Sequence, residues 1–312
     1  MEHSLVIAFL RSLRPRQWTK NLVVLAGLVF STEHLLGNWP AWLAAGGTTL
    51  LFCLLSGGVY LMNDLVDADR DRQHPEKSKR PIPSGALPES TARAGLAGLL
   101  LGCLLWAWAL APGVFPAALA YFLLNLAYTF WLKRVVLVDV MCIAVSFVLR
   151  AQAGVVCLRG VDPGIQMSKW LLICTFLLAL FLALAKRRQE IRRFKGDATR
   201  MREALADYTP HFIDEMTGII CASTLIAYSI YTVSPETTAK FGTDALVFTI
   251  PPVLYGIFRY LYLIHVKELG DNPSEIMLTD RPMQLTLALW VAIVVWAIHL
   301  HPGGGAPLPL SP

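Results

Sequence analysis

Three aspartates follow directly on a long apolar stretch of the chain. The apolar run 42–62 leads into Asn63, Asp64, Asp67 and Asp71. On a helix that continues past the run, Asp64, Asp67 and Asp71 share one face, one turn apart. Carboxylates on one face repel each other unless a cation neutralises them. Mg²⁺ suits this role because it takes one or two carboxylates and completes its shell with water and phosphate oxygens. The spacing predicts that these three aspartates are catalytic and bind Mg²⁺, with Asn63 contacting substrate.

Basic residues come next in the chain. Lys77, Lys79 and Arg80 are cations of the type that bind phosphate groups, and we predict that Lys79 and Arg80 bind substrate. An acidic cluster followed by a basic cluster at the end of a membrane helix indicates a metal–diphosphate site. The alternative is a solvated loop, which requires charge but not three acids at helical spacing. Asp69 lies off the shared face and fits a surface role.

The composition indicates what kind of protein positions these residues. Of 312 residues, 55% are hydrophobic and only 16% are charged, and the mean hydropathy is +0.53. The apolar residues occur in runs of about 20, the length that crosses a bilayer. We therefore predict an all-α polytopic membrane protein. Because the basic residues lie in loops between spans, the net charge of +5 does not indicate nucleic-acid binding. The predicted spans are nine: 21–37, 41–62, 92–111, 114–132, 135–155, 169–185, 214–233, 244–264 and 284–300.

The basic residues also predict an orientation. Most of the 27 Lys and Arg residues fall in the N-terminal segment and in alternate loops, which the positive-inside rule assigns to the cytoplasm. The N-terminus is then inside, the C-terminus is outside, and the active site lies at the cytoplasmic face of the inner (plasma) membrane. We predict a single transmembrane catalytic domain over residues 1–302 and a disordered, Gly/Pro-rich tail over 303–312.

A second polar loop begins after the sixth predicted span. Lys186 and Glu190 are four residues apart and share a helix face, and Arg187 lies beside Lys186. We predict that Lys186 and Arg187 bind substrate phosphate and that Glu190 is catalytic. Replacing either cation should impair substrate use while folding is retained. Arg192 and Arg193 are explained by topology alone.

Polar residues within or beside the spans are functional candidates because they are costly to place in a bilayer. Asp139 is the strongest, since no neighbouring residue in the sequence neutralises it. Arg150 fits either a carboxylate partner inside the bundle or a side chain that extends to the outer interface. The full set predicted to bind substrate on these grounds is Lys20, Tyr128, Lys133, Asp139 and Arg259.

Several motifs together resemble one family of membrane enzymes. Asn63-Asp64-x-x-Asp67-x-x-x-Asp71 resembles the first aspartate-rich motif of the UbiA superfamily of intramembrane prenyltransferases. The second aspartate-rich motif usual in that superfamily is missing. The chain carries instead Arg14-Pro15-x-Gln17-Trp18-x-Lys20-Asn21, Lys186-Arg187-x-x-Glu190, Arg202-x-x-Leu205-x-x-Tyr208, Arg259-Tyr260, Pro273-x-Glu275 and Asp280-Arg281. Taken together, these segments are similar to the decaprenyl-phosphate phosphoribosyltransferase branch of the superfamily.

This resemblance implies a fold and a reaction. The fold is a nine-helix UbiA-type transmembrane bundle. The reaction transfers 5-phosphoribosyl from phosphoribosyl diphosphate (PRPP) to a polyprenyl (decaprenyl) phosphate, with Mg²⁺ as cofactor and diphosphate as leaving group, and supplies an arabinan precursor for the cell envelope. Arg202 and Tyr208 are candidate substrate-binding residues through this resemblance. The implied partners are the two substrates and the membrane, without nucleic acid, and a homo-oligomer is compatible with this set.

Two other functions fit parts of the sequence. A prenyltransferase with a prenyl diphosphate donor and an aromatic or polar acceptor fits the first acidic motif, but the missing second motif weighs against it. A transporter or channel would show paired, broken helices at mid-membrane. The charges of this chain cluster at one predicted face instead, which favours an interfacial enzyme.

Overall fold

The computed structural model of the protein describes residues 2–30, 35, 37–193, 207–267, 269, 276 and 279–300. All regular secondary structure in these ranges is helical, so the all-α prediction is confirmed. The α-helices are α1 (Glu2–Ser12), α2 (Ala26–Val29), α3 (Trp39–Val66), α4 (Ala68–Arg72), α5 (Glu89–Leu110), α6 (Val114–Phe130), α7 (Val138–Val156), α8 (Lys169–Arg193), α9 (Pro210–Val233), α10 (Pro235–Phe241), α11 (Ile250–His265) and α12 (Arg281–Val295). The 3₁₀ segments are Pro15–Leu25, Lys77–Lys79, Leu132–Arg134, Cys157–Gly160 and Ala245–Thr249, and a π-helical turn, Trp296–Leu300, extends α12.

Seven of the described helical segments are long and apolar enough to cross a membrane. They are Trp39–Val66, Glu89–Leu110, Val138–Gly160, Lys169–Arg192, Pro210–Val233, Ala245–His265 and Arg281–Ile298. The helix α6 is also apolar but shorter. These eight segments correspond to the second to ninth predicted spans, and the class of multi-pass membrane protein is confirmed.

The first predicted span, 21–37, takes a different form. It begins within a 3₁₀ segment that runs directly into the short helix α2. This part of the chain meets α7 backbone to backbone: a Cβ added to Gly27 would lie 2.7 Å from the carbonyl oxygen of Gly154, and one added to Gly154 would overlap the carbonyl oxygen of Val24. Small residues allow such close approach between membrane helices, so these glycines permit the packing of an irregular segment.

The internal contacts of the chain group into two compact units. The first consists of Met1–Phe30, Asn38–Leu132 and Leu149–Met167, and the second of Ser31–Gly37, Lys133–Val148 and Ser168–Pro312. One of the boundaries between the units, after Val148, falls within α7. The single catalytic domain over 1–302 stays a prediction, and the predicted tail 303–312 lies outside the described residues.

The helix α3 is the centre of the first unit. It packs against α5, α6 and the 3₁₀ segment Pro15–Leu25. An apolar cluster that includes Ala8, Leu61, Ile82 and Leu87 fixes α1 and the loop after α4 to the last turns of α3. The segment 63–71, called the acidic segment below, therefore begins on turns of α3 that pack against this cluster.

In the second unit, α8 packs along α9, and α11 packs against α12. One apolar cluster joins Leu184 to Tyr208, and another joins Phe181 to Tyr260. The rings of Phe181 and Tyr260 meet edge to face, with their centroids 5.2 Å apart. Both clusters lie just before the polar end of α8. Apolar packing therefore fixes the orientation of residues 186–190.

Candidate active site

The acidic segment is built by a helix that stops and restarts at Asp67. The helix α3 ends one residue before Asp67, whose backbone is non-helical (φ −94°, ψ 9°), and α4 begins one residue after it. Backbone hydrogen bonds still run from Asp67 N to Asn63 O (2.9 Å) and from Asp71 N to Asp67 O (2.8 Å). Helical hydrogen bonding therefore continues across the interruption. Asp64 and Asp71 are buried, Asp67 is half-buried, and Asp69 is exposed.

Arg80 joins the two buried carboxylates. Its Nη1 donates to Oδ1 of Asp64 at 3.0 Å and to Oδ2 of Asp71 at 2.6 Å. Lys77 adds a second cation, with its Nζ 3.7 Å from Oδ1 of Asp71. Taking two carboxylates out of water is costly, and the paired cations offset that cost. The structure therefore brings together two of the three predicted acids and one of the predicted phosphate-binding cations.

Arg14 belongs to the same cluster, and the sequence interpretation did not select it as a site residue. Its Nη2 donates to Oδ1 of Asp64, and its guanidinium lies 4.8 Å from the ring centroid of Tyr60. The Arg14 backbone is left-handed (φ 51°, ψ 62°), which costs a non-glycine residue about 1–3 kcal/mol and persists only where other contacts hold it. The signal in the sequence was the segment Arg14-Pro15-x-Gln17-Trp18-x-Lys20-Asn21, from which only Lys20 was selected.

The carboxylate pair supplies oxygen ligands of the type that a divalent cation binds, although Arg14, Lys77 and Arg80 neutralise them in this structure. One nitrogen of Arg80 lies within 3.0 Å of oxygens from both Asp64 and Asp71, so the two carboxylates already share a positive centre. Carboxylate oxygens of this kind are the ligands that Mg²⁺ prefers. Within the described ranges, no three His, Cys, Asp or Glu side chains are grouped closely enough to hold a metal ion. The structure thus offers the pair, and Asp67 is not grouped with it.

Asn63 and Lys20, two other predicted site residues of the first unit, do not bond to these carboxylates among the described contacts. The Oδ1 of Asn63 lies 2.8 Å from the hydroxyl of Thr129. Lys20 is half-buried, and this burial, together with the charges of Arg150 and Arg14, lowers its pKa to about 8. Lys20 is therefore a cation whose charge is easily lost.

Lys79 does not contact the carboxylates that Arg80 contacts. Lys77 and Arg80 contact carboxylates, whereas Lys79 is exposed and lines a cleft beside α1. Tyr128 is half-buried near the end of α6, and Lys133 is half-buried in the following 3₁₀ turn. Substrate binding by these three residues stays a prediction.

A buried polar network lies deeper in the first unit. Arg150 donates from Nε to Oδ1 of Asn21 and from Nη2 to the hydroxyl of Tyr121, both at 2.8 Å. Asn21 donates in turn to Oγ of Ser56 at 3.2 Å. All four side chains are buried. Arg150 therefore lies in the interior of this unit, but it bonds to an amide and a phenol where the first alternative expects a carboxylate.

The second unit carries its own cluster, centred on Asp139. Asp139 accepts hydrogen bonds from Nε of Arg187 at 2.7 Å and from the hydroxyl of Tyr208 at 2.8 Å. Arg187 also donates from Nη1 to Oε2 of Glu190 at 2.5 Å. The Tyr208 hydroxyl accepts from the backbone N–H of Leu137 at 2.8 Å. Four predicted site residues are thus joined by one chain of mostly charge-assisted hydrogen bonds.

Burial separates the roles of these residues. The side chains of Arg187 and Asp139 are 2% and 1% exposed, whereas Lys186 is 43% exposed and lies 3.9 Å from Glu190. Burial, followed by the bond to Asp139, raises the pKa of Tyr208, so its hydroxyl stays protonated and donates a hydrogen bond to the carboxylate. Arg187 is therefore committed to two carboxylates, and Lys186 is the more accessible cation.

Two further ion pairs tie helices of the second unit together. Arg188, which the sequence interpretation did not select, donates from two nitrogens to the two carboxylate oxygens of Asp214. Arg259, predicted to bind substrate, donates from Nε and Nη2 to the carboxylate oxygens of Asp280 at 3.2 and 2.8 Å. That hydrogen bonding lowers the pKa of Asp280, which also caps α12. The predicted substrate-binding residue Arg202 lies outside the described residues.

The comparison with known proteins covers almost the whole chain. The pattern of the UbiA prenyltransferase family matches residues 22–280. Decaprenyl-phosphate phosphoribosyltransferase from Mycolicibacterium smegmatis is 31% identical over 304 residues, which cover 95% of this chain and 94% of that protein. The enzyme of the same name from Corynebacterium glutamicum is 28% identical over 304 residues, or 96% of this chain and 89% of that protein.

Solved structures of UbiA homologs share the fold of this chain. A UbiA homolog from Archaeoglobus fulgidus, bound to GPP and Mg²⁺, matches with a TM-score of 0.69 at 20% identity and covers 93% of this chain and 99% of that chain. The same homolog bound to DMAPP and Mg²⁺ also gives a TM-score of 0.69. Fold and sequence pattern lead to one conclusion: the chain belongs to the UbiA prenyltransferase family.

Proposed function

We propose that this protein is a Mg²⁺-dependent phosphoribosyltransferase. It transfers the 5-phosphoribosyl group of PRPP to a polyprenyl (decaprenyl) phosphate, releases diphosphate, and so supplies an arabinan precursor for the cell envelope. The observation that carries the proposal is the pair of buried carboxylates, Asp64 and Asp71, bridged by Arg80 at the end of an apolar helix. Similarity over nearly the full length to decaprenyl-phosphate phosphoribosyltransferases supports the choice of donor and acceptor.

The acidic segment is the proposed diphosphate end of the site. Asp64, Asp67 and Asp71 are the residues that would hold Mg²⁺, which when bound neutralises charge on a leaving diphosphate. Arg80 and Arg14 lie against these carboxylates. Because a guanidinium matches phosphate oxygens as well as it matches carboxylate oxygens, we expect both arginines to hold the diphosphate in the loaded site.

The bond changes demand little proton transfer. The bond between C1 of ribose and the diphosphate oxygen breaks, and a bond from C1 to an oxygen of the lipid phosphate forms. The acceptor phosphate is already anionic, so its attack needs no strong general base. Positive charge develops on the ribose in this step, and carboxylates fixed by their cations can stabilise it. Glu190, held by Arg187, keeps its predicted catalytic role in this scheme.

The 5-phosphate of the donor and the phosphate of the acceptor also require cations. Lys186 is an accessible candidate because its side chain is 43% exposed. Lys20 is a second candidate: burial and then the charges of Arg150 and Arg14 lower its pKa, and an anion bound beside it would stabilise its charged form. Arg187 is proposed to orient Asp139 and Glu190 rather than to bind phosphate directly.

We also propose an orientation in the membrane. The N-terminus lies in the cytoplasm, the C-terminus lies outside, and the site faces the cytoplasm at the inner (plasma) membrane. The distribution of Lys and Arg among the loops supports this orientation. The prenyl chain of the acceptor remains among lipids and only its phosphate head reaches the site. A homo-oligomer stays a prediction.

The deciding experiment combines purified protein, Mg²⁺, PRPP labelled in the ribose and a polyprenyl phosphate, and counts label in the organic phase. We expect label to enter the lipid with wild-type protein, and not with Asp64→Asn or in the presence of EDTA. A parallel reaction supplies a labelled prenyl diphosphate and aromatic acceptors. Prenyl transfer in that reaction, without use of PRPP in the first, would assign the protein to the prenyl-diphosphate enzymes instead.

A further inference from the structure

The N-terminal helix α1 combines firm packing with an exposed apolar surface. Ala8 is buried in the apolar cluster at the end of α3, and the ring of Phe9 fills the space above Gly95. Val6, Ile7 and Leu10 are nevertheless 58%, 49% and 50% exposed. A short helix that is anchored on one side and apolar on the other lies in the interface of a bilayer. Lipids are therefore the natural neighbours of this surface.

A cleft of about 480 Å³ opens between α1 and the loop that follows α4. Its lining is of two kinds. Arg11, Lys79 and Ser84 provide cations and a hydroxyl, and Ile7 and Pro81 provide an apolar wall. The volume falls in the range of about 300–1,000 Å³ that is usual for small-molecule sites.

The charge of this cleft is not balanced by the protein. Among the described residues, no carboxylate forms an ion pair with Arg11 or Lys79, whereas the neighbouring cations Arg14, Lys77 and Arg80 are all paired with aspartates. Two cations beside one cleft, without acidic partners, favour an anionic ligand. Lys79 and Arg80 are adjacent in sequence, yet Lys79 lines the cleft and Arg80 contacts Asp64 and Asp71.

We propose that this cleft binds the phosphate headgroup of an anionic membrane phospholipid. Arg11 and Lys79 contact the phosphate oxygens, and the acyl chains run along the exposed side chains of Val6 and Leu10. The Ser84 hydroxyl, which donates to the carbonyl oxygen of Pro81, lines the cleft beside them. A lipid fits better than a soluble phosphate because the cleft is partly apolar and opens beside an apolar helix face. Basic residues at a membrane surface recognise anionic lipids in this way. The proposal gives Lys79 a lipid ligand in place of the substrate contact predicted from the sequence, and it does not depend on the proposed phosphoribosyl transfer.

Native mass spectrometry of the detergent-purified full chain tests this inference. The protein is titrated with dioleoyl phosphatidic acid and, separately, with dioleoyl phosphatidylcholine. We expect preferential retention of phosphatidic acid by wild-type protein, and at least roughly tenfold weaker retention by Arg11→Ala/Lys79→Ala, as the loss of charged hydrogen bonds predicts. Arg16→Ala removes the same charge from an exposed site in the same segment that does not line the cleft, and it should bind as wild type does.

A second variant guards against a general effect of charge. Ala86→Trp fills the cleft while both cations remain, and it should also reduce retention of phosphatidic acid. Equal binding by wild type, Ala86→Trp and Arg11→Ala/Lys79→Ala would overturn the proposal. Displacement of phosphatidic acid by inorganic phosphate at equal concentration would overturn it as well, since the site would then recognise a soluble anion.

Discussion

The Nη1 of Arg80 lies 3.0 Å from Oδ1 of Asp64 and 2.6 Å from Oδ2 of Asp71, so one guanidinium nitrogen serves two buried carboxylates. With Arg14 on Asp64 and Lys77 near Asp71, the acidic segment carries its own neutralising cations. Carboxylates buried in this way cannot be changed without leaving charge unbalanced. The arrangement explains why this segment should govern both activity and structure.

The buried aspartates should be far more sensitive than the exposed one. Asp64→Asn and Asp71→Asn each remove a carboxylate charge from the proposed diphosphate end, and we expect losses of kcat/KM on the order of 100-fold or more. Asp69→Asn is the matched control, because Asp69 is exposed and pairs only with Arg72 among the described contacts, and its effect should stay within about twofold. Asp67→Asn, predicted from the sequence to be severe, tests whether the half-buried carboxylate joins a loaded site. An inactive Asp69→Asn beside an active Asp64→Asn would refute this account.

Arg187→Ala should impair folding as well as activity. The sequence interpretation expects this variant to fold normally, but the Arg187 side chain is 2% exposed and bonded to Asp139 and Glu190. Removing one partner of a buried ion pair typically costs about 3–5 kcal/mol. We expect a clear fall in the thermal unfolding midpoint in detergent, and a partial recovery when Asp139→Asn is added.

Lys186→Ala is the control for that experiment, since Lys186 is 43% exposed. It should unfold at the wild-type temperature and raise KM for PRPP. If Arg187→Ala instead unfolds like wild type and only raises KM, direct phosphate binding by Arg187 is the better explanation.

Lys20 should cause the activity to fall on the alkaline side of the pH profile. Its pKa is lowered from the ordinary 10.5 to about 8 by burial and by neighbouring arginines, so it loses its charge as pH rises through 8. The buried charge lowers the free energy of unfolding by its full amount below pH 8. This destabilisation decreases between pH 8 and 10.5, where Lys20 is neutral in the folded state but still charged in the unfolded state. We expect kcat/KM for PRPP to fall above pH 8 in wild type, and Lys20→Arg to move this fall to higher pH because arginine stays charged. A fall that Lys20→Arg does not move belongs to another group.

Gly154 should tolerate no larger residue. A Cβ at this position would overlap the carbonyl oxygen of Val24, which is backbone and cannot rotate away. Overpacking of this kind costs about 1–3 kcal/mol, so Gly154→Ala should lower the thermal unfolding midpoint. Gly160→Ala is the control, since nothing lies within 4 Å of its added Cβ. Equal midpoints for the two variants would show that the segments are not in contact.

The orientation can be measured with fusion reporters. A reporter that is active only outside the cytoplasm should be active when fused after Pro302 and inactive when fused after Arg72. The expectation follows from the loops rich in Lys and Arg, which resist translocation. The opposite pattern would remove the cytoplasmic site from the proposal.

The sequence by itself determined the class of the protein and the approximate positions of eight membrane-spanning segments. Runs of apolar residues about 20 long have few alternatives to a membrane helix, because every backbone group must be satisfied within the helix. The spacing of Asp64, Asp67 and Asp71 also predicted helical hydrogen bonding through this segment, and two such bonds cross Asp67, although Asp67 is less buried than the other two. The positions of apolar helices and the helical spacing of residues are local properties, so the periodicity of the sequence is sufficient to predict them.

Tertiary structure alone decided which charges meet. Arg14 reaches Asp64 from 50 positions away, and Arg187 reaches Asp139 from 48 positions away. Lys79 and Arg80 are adjacent in the chain, yet only Arg80 contacts the carboxylates. The sequence shows which cations are present but not which carboxylate each one contacts. A long side chain can pair with any carboxylate that the packing of distant helices brings within its reach. Because an unpaired buried charge is costly, the partner is the carboxylate that the fold buries beside it.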